Sequence, residues 1–252
     1  MRNMRMITLT LALLILCTGA VAAELKVLTA GAFKPVVVAL APAFEKQTGY
    51  RLVVDNDTAG ALHRRISNGE VFDVVVLTPA AIEQLGKAGK VDADTAKPLA
   101  RVAIGVAVKH GAAAPDIGSV AAFRQALLAA HAVAYIDPAS GGSSGIYLSQ
   151  LFAAMGIAQQ IHAKEVLVPG GLVAQRVVDG EADIAIHQVS EILAVPGATL
   201  VGPIPAEIQN YTVYAGALSA SARDPAVAQS FLALLGSAEA RAVLNAKGME
   251  RP

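Results

Sequence analysis

Residues 72–77 read Phe72-Asp73-Val74-Val75-Val76-Leu77, a short and almost wholly apolar run. A run this short and this rich in Val is expected of a strand buried on both faces of a sheet, the surroundings of a parallel strand with helices above and below it. Upstream, Leu25–Thr29 reads as a strand. Pro35 suits the first turn of a helix, and Val36, Leu40 and Phe44 follow at i, i+4 and i+8 on one face until Gly49 ends it. Arg51–Asp55 is a second strand, and Ala61–Asn68 a helix that stops at Gly69. Downstream, Pro79 starts another helix that ends near Gly89. Strand and helix alternate, so the chain is expected to be α/β with mostly parallel sheets.

Beyond residue 100 the rhythm changes. Residues 101–109 and 210–218 are long β-like stretches, expected to cross between two lobes. Lobe 1 is then discontinuous, residues 23–100 plus 215–252, and lobe 2 is residues 101–214. Between the crossings, Ser119 caps a helix carrying Val120, Phe123 and Leu127, and strands are expected over 133–136, 166–168, 182–187 and 198–201. Helices are expected over 144–155 and 171–179, and Asp224-Pro225 opens the first of two closing helices.

Composition narrows the function classes. Of 252 residues 54% are apolar and only 16% charged, which argues against a disordered or fibrous chain. Lys plus Arg and Asp plus Glu are 20 each, with no polybasic tract, so neither nucleic acid nor a membrane surface is an expected partner. Residues 1–22 read as a secretory signal: Arg2 and Arg5, the apolar run Ile7–Leu16, then Ala20-Val21-Ala22 as the small-x-small cleavage pattern. The run is shorter than the ~20 residues of a membrane span. The expected product is a soluble periplasmic monomer with no membrane insertion. Cys17, the single cysteine, would leave with the signal, which excludes disulfides, thiolate zinc sites and cysteine nucleophiles from the mature chain. None of the five histidines stands at metal-ligand spacing, so no metal is expected, and no cofactor is implied.

In open α/β sheets ligands lie at the carboxyl ends of strands, where helix N-termini present free N–H groups. That rule selects Thr29–Pro35, Asn56–Gly60, Asp137–Gly145 and Pro169–Val173, with His187-Gln188 as a fifth wall. Small residues and glycines let backbone amides approach a small anion. Gly141-Gly142-Ser143-Ser144-Gly145 matches the nucleophile-elbow spacing, but Asp137–Ser140 separates it from the strand, and the loop reads better as an anion nest. Lys34 at a helix start opposes the helix dipole, a cost that a facing anion would offset; the plainer reading is a solvated lysine. His187 is either a ligand donor or a satisfied structural histidine. One of Arg64 and Arg65 can point to the cleft.

These stretches also carry a resemblance. Leu25–Ala32, Ala59-Gly60-Ala61-Leu62 with Arg64 and Ile66, Phe72–Val76, Asp137-Pro138 through Gly145-Ile146-Tyr147, and Gly180–Ala185 resemble the periplasmic solute-binding proteins of ABC importers. Within these the likeness is to the molybdate-binding-like group of the type II periplasmic-binding-protein fold. The resemblance implies a bilobal cleft for a small anion and an ABC permease as partner. The serines of that group's oxyanion site match Ala32 and Ala59, its tyrosine matches His187, and Ser144 and Val173 match positions that donate backbone N–H groups. The expected guest is a carboxylate or an oxyanion such as molybdate; with both hydroxyls replaced and Lys34 and His187 present instead, the exchange suits a carboxylate better. The expected binding set is Ala32, Lys34, Thr58, Ala59, Ser143, Ser144, Val173 and His187, and the leading expectation is a binding protein. The chain also resembles aconitate isomerases of the same fold group. That likeness implies cofactor-free allylic proton transfer, with His187 or Lys34 carrying the proton.

Overall fold

The computed structural model of the chain describes residues 23–252; the expected signal segment, 1–22, lies outside them. Two sheets organise the described chain. The first builds up from β1 (Glu24–Ala30), helix α1 (Lys34–Thr48), β2 (Arg51–Asp57), α2 (Ala59–Ser67), β3 (Val74–Leu77) and α3 (Pro79–Lys87). Strand β4 (Val91–Val102) joins this sheet, and after Ala103 the chain enters the second sheet as β5 (Ile104–Lys109). The second half continues with α4 (Val120–Ala129), β6 (Val133–Ile136), α5 (Ser143–Ala154), α6 (Ala158–His162), β7 (Glu165–Val168), α7 (Gln175–Val178), β8 (Ile184–Gln188), α8 (Val189–Ile192) and β9 (Ala198–Pro203). The chain then returns to the first sheet as β10 (Thr212–Ser219) and ends with α9 (Pro225–Leu235), α10 (Ala238–Ala246) and β11 (Met249–Glu250).

The first sheet runs β11-β4-β10-β3-β1-β2 and the second β7-β6-β8-β5-β9. Both are mixed, which corrects the expectation of mostly parallel sheets. β1 pairs in parallel with β2 and β3, and β6 with β7 and β8. β10 and β5 run antiparallel to all their neighbours. The reason is connectivity: parallel neighbours need a helical crossover, and these two strands arrive from the other sheet without one.

The stretch expected as one crossing strand over 101–109 is broken at Ala103 into the end of β4 and all of β5. Most of β4 escaped the sequence reading, because its first half is polar and exposed and Pro98 interrupts it. The register of β4 against β10 shifts between Tyr214 and Ala215, the residue that faces Pro98, so a local irregularity accommodates the missing N–H.

The core of the first half gathers β1, β3 and β10 with the buried faces of α1 and α9, where Phe44 and Phe231 meet edge-on at 4.9 Å. Burying a side chain of this size contributes roughly 1.5–3 kcal/mol. The second sheet is covered on both faces: Tyr135 packs edge-on with Phe152 at 5.4 Å within one cluster, and Val168, Val173 and Val177 belong to the other. Gln209, between the sheets, donates to the Ile104 carbonyl (2.9 Å) and accepts from the Ile104 N–H (2.9 Å), tying one crossing to the other.

Candidate functional site

Strands β1, β2, β6 and β8 end at one seam between the two sheets. Their carboxyl ends enclose a cavity of about 30 Å³. The first half contributes Ala30–Ala32 and Asn56–Ala59. The second contributes Gly142–Ser144, Gly171, His187, Gln188 and Glu191. Tyr214, on the returning strand β10, completes the lining. All four loops selected from the sequence, and the His187-Gln188 wall, therefore reach one place.

The start of α2 and the start of α5 both open on this cavity. The Thr58 hydroxyl accepts from the Ala61 N–H (3.1 Å), capping α2 just outside its first turn. Ser143 and Ser144 form the first turn of α5, whose leading N–H groups have no carbonyl partner within the helix. Gly145 is required beside them: a Cβ there would lie 2.1 Å from the Ile136 carbonyl oxygen. The cavity thus receives the positive ends of two helix dipoles.

Of the expected binding set, Ala32, Thr58, Ala59, Ser143, Ser144 and His187 line the cavity. Lys34 and Val173 do not, and the expectation for Lys34 is corrected. A 3-10 turn over Gly31–Phe33 directs Ala32 and Phe33 inward and leaves Lys34 exposed at the first residue of α1. The Val173 side chain is buried in the core cluster beneath the loop, as suits a residue expected to offer only its backbone N–H, and Gly171 of the same loop lines the cavity. α7 begins only at Gln175, four residues later than the helix expected from Gly171. Between the two arginines, Arg64 reaches across the cleft to the Ser140 carbonyl (3.2 Å), and Arg65 is taken up by Asp55, Asp57 and Glu70.

Hydrogen bonds between the halves seal the mouth. The Thr58 hydroxyl donates to the Ser140 carbonyl (2.7 Å), and the Gly60 N–H to the Gly141 carbonyl (3.0 Å). A Cβ on Gly60 would stand 2.7 Å from the Gly141 Cα, so this approach requires glycine. On the far side the Ser190 hydroxyl donates to the Ala32 carbonyl (2.8 Å). The Tyr214 hydroxyl donates to Gln188 Oε1 (2.7 Å), and Gln188 Nε2 donates to Thr212 Oγ1 (3.0 Å), joining β8 to β10.

The most unusual feature is a buried pair. His187 Nε2 lies 3.1 Å from Glu191 Oε2, both side chains almost wholly buried. His187 Nδ1 is buried with no partner within the described protein. Glu191 Oε1 sits over Gly31 of the facing half, 2.5 Å from where a Cβ would stand. Burial pushes the imidazole pKa down and the carboxyl pKa up. At neutral pH Glu191 therefore carries a proton and His187 is a neutral base beside it. Burial, the leading cause, raises the Tyr214 pKa as well, keeping its phenol neutral.

Glu191, Asp57 and Tyr214 were not expected from the sequence as site residues. Glu191 had no local signal of its own: His187 lies in β8 and Glu191 in the short helix α8, so the strand-to-helix turn at Gln188, rather than a helical repeat, brings the two side chains together. Tyr214 had none either, because strand pairing across the molecule brings it in.

With this geometry in hand, the relatives are informative. A family profile described as bacterial extracellular solute-binding protein matches residues 25–250. An aconitate isomerase of Pseudomonas sp. is 36% identical over 257 residues, which span 98% of this chain and 97% of that protein. Among solved structures, the periplasmic molybdate-binding protein of Azotobacter vinelandii superposes with a TM-score of 0.76 at 22% identity, over 91% of this chain and 100% of its own. The sulfate-binding protein SubI of Mycobacterium tuberculosis superposes with a TM-score of 0.71 at 18% identity, over 91% and 87% of the two chains. At these identities the superpositions establish the fold, that of the type II periplasmic binding proteins.

Proposed function

We propose, from the premise that this chain belongs to the bacterial extracellular solute-binding protein family, that it uses the family's closing cleft to isomerise a small unsaturated carboxylate, aconitate by preference, through cofactor-free proton transfer. The chain is read as an exported, periplasmic protein whose two sheets define two lobes. The His187–Glu191 pair carries the proposal. A protonated carboxyl can donate a hydrogen bond to any anion, but one set against a neutral imidazole and facing the cavity also offers a proton that can leave and a base to back it, which proton transfer needs and capture does not. The likeness to the Pseudomonas isomerase along the full chain supports the same reading.

Interconversion of trans- and cis-aconitate moves a double bond by one carbon. A proton leaves the methylene beside a carboxylate, and another arrives at the far end of the allylic system. Negative charge builds on the guest carboxylate as the first proton leaves. The N–H groups at the starts of α2 and α5, with Thr58, Ser143 and Ser144, are suited to hold that charge. Glu191, kept protonated by burial and backed by neutral His187, is suited to deliver the arriving proton. A guest enters when the Thr58–Ser140 and Gly60–Gly141 contacts part.

Ultraviolet absorbance of trans-aconitate mixed with the purified protein tests the reading directly. Conversion to the cis isomer is expected, and its absence at high protein concentration would end the proposal. The second reading is passive capture for an ABC permease, favoured by closing contacts contributed from both halves. Calorimetry against aconitate isomers, citrate and molybdate separates the two: binding without conversion supports capture.

A further inference from the structure

The lining of the cavity carries a second carboxyl that the account above leaves without a task. Asp57 ends β2 and lines the cavity from the half opposite His187 and Glu191. Its side chain is about one-third exposed. Oδ1 accepts the Thr58 N–H (2.8 Å) and lies 3.6 Å from where a Cβ on Gly170 of the other half would stand, so it faces across the cleft.

Arg65 holds this carboxyl in place without consuming it. The guanidinium spends its Nε–H on Glu70 (2.6 Å), divides Nη2 between Glu70 and Asp55, and reaches Asp57 Oδ2 only through Nη1 at 3.5 Å. Among the described residues that line the cavity, none is a Lys or Arg. An aspartate placed against an anionic guest is repelled by it, a cost with no return in a passive site. A base that must meet a C–H next to a carboxylate needs this position.

Building on the isomerase reading, we propose that Asp57 is the second proton carrier, the base that opens the reaction from the opposite wall. An Asp57 oxygen takes the methylene proton; the C–H bond breaks, the O–H bond forms, and the released electron pair becomes the new carbon–carbon double bond. The pair of the old double bond takes a proton from the His187–Glu191 pair at the far carbon. Guest formula and total charge are unchanged. Opening of the cleft lets water remove the proton from Asp57 and restore one to the pair. The two carriers belong to different halves, so they flank the guest only when the cleft is closed. Arg65 acts as a positioning residue for Asp57.

The test uses the full exported protein and trans-aconitate deuterated at its methylene, turned over in ordinary water. Two carriers predict that no deuterium moves to the other allylic carbon within one molecule. A single carrier returns part of the label there, and that result would overturn the proposal without any variant. Asp57→Asn is expected to lower kcat on the order of 100-fold or more, with KM unchanged or lower because a repelling charge is gone. Turnover by Asp57→Asn at close to the wild-type rate would also overturn it. If the wild-type protein fails to convert aconitate at all, the isomerase reading fails and takes this proposal with it; wild-type conversion with an indifferent Asp57→Asn removes this proposal alone.

Discussion

The ion cluster around Arg65 and the pair at His187 both stand beside the cleft loops, and each contains a glutamate. Glu70 accepts from Arg65 at 2.6 and 2.8 Å and from Lys26 at 2.9 Å, and the Arg65 hydrogen bonds lead in drawing its pKa down to about 2. Among the described residues Glu191 has only a neutral imidazole, at 3.1 Å, and burial raises its pKa. The same side chain is thus fixed as an anion in one region and kept protonated in the other. Formal positive charge and access to water decide between the two outcomes. The cluster anchors the end of β2, through Asp55 and Asp57, and the pair keeps a proton on a buried carboxyl.

The largest test of this contrast is catalytic. Glu191→Gln keeps the shape and removes the transferable proton, and isomerisation measured by ultraviolet absorbance should fall by roughly 100-fold or more. Glu70→Gln leaves that proton in place and reaches the site only through Arg65, so its loss of kcat should be much the smaller; an equal loss in both variants would erase the distinction. The next effect concerns closure, on which the pair's isolation from water depends. Gly60→Ala drives a methyl into the Gly141 backbone, and calorimetry should show aconitate affinity reduced about tenfold or more, as expected for a 1–3 kcal/mol packing clash.

A third effect is on stability against pH. The Glu191 pKa is raised from 4.5 to about 8 by burial, so its contribution is full below the ordinary carboxylate range and is lost as pH rises through about 8. The His187 pKa is lowered from 6.5 to about 3, so its contribution is present above the ordinary imidazole range and is lost as pH falls through about 3. The two slopes oppose each other where they overlap. Denaturant midpoints should therefore stay level between about 4.5 and 6.5 and decline on both sides. Glu191→Gln should abolish the alkaline decline, worth about 2 kcal/mol, and retain the acid one.

The smallest effect lies in the cluster. Its Glu70 contribution is present above the ordinary carboxylate range and is lost as pH falls through about 2. Glu70→Gln should cost no more than about 1 kcal/mol at neutral pH, the scale of a partly exposed ion pair, and should flatten the acid limb measured by thermal unfolding.

Much of the fold was legible because it follows from local pattern. The run Val74–Leu77, the Val36, Leu40 and Phe44 face, and the capping residues Ser119 and Asp224 each signal their element within a few positions. The polar half of β4 was not legible, since its place in the sheet comes from pairing with β10, more than a hundred residues away. Lys34 misled for a related reason: its position at a helix start was read correctly, but the turn over Gly31–Phe33 decides which way the side chain leaves.

By itself the amino-acid sequence determined that the chain is α/β, that it passes between two halves twice, and which strand-to-helix loops line the cavity, because strand ends and helix starts are written in neighbouring residues. Only the tertiary structure decided that a glutamate four residues past His187 stays protonated, that Asp57 faces it from the other half, and that Tyr214 closes the cavity between them. A carboxyl's charge state depends on the water and the charges around it, and those are set by segments far apart in the chain.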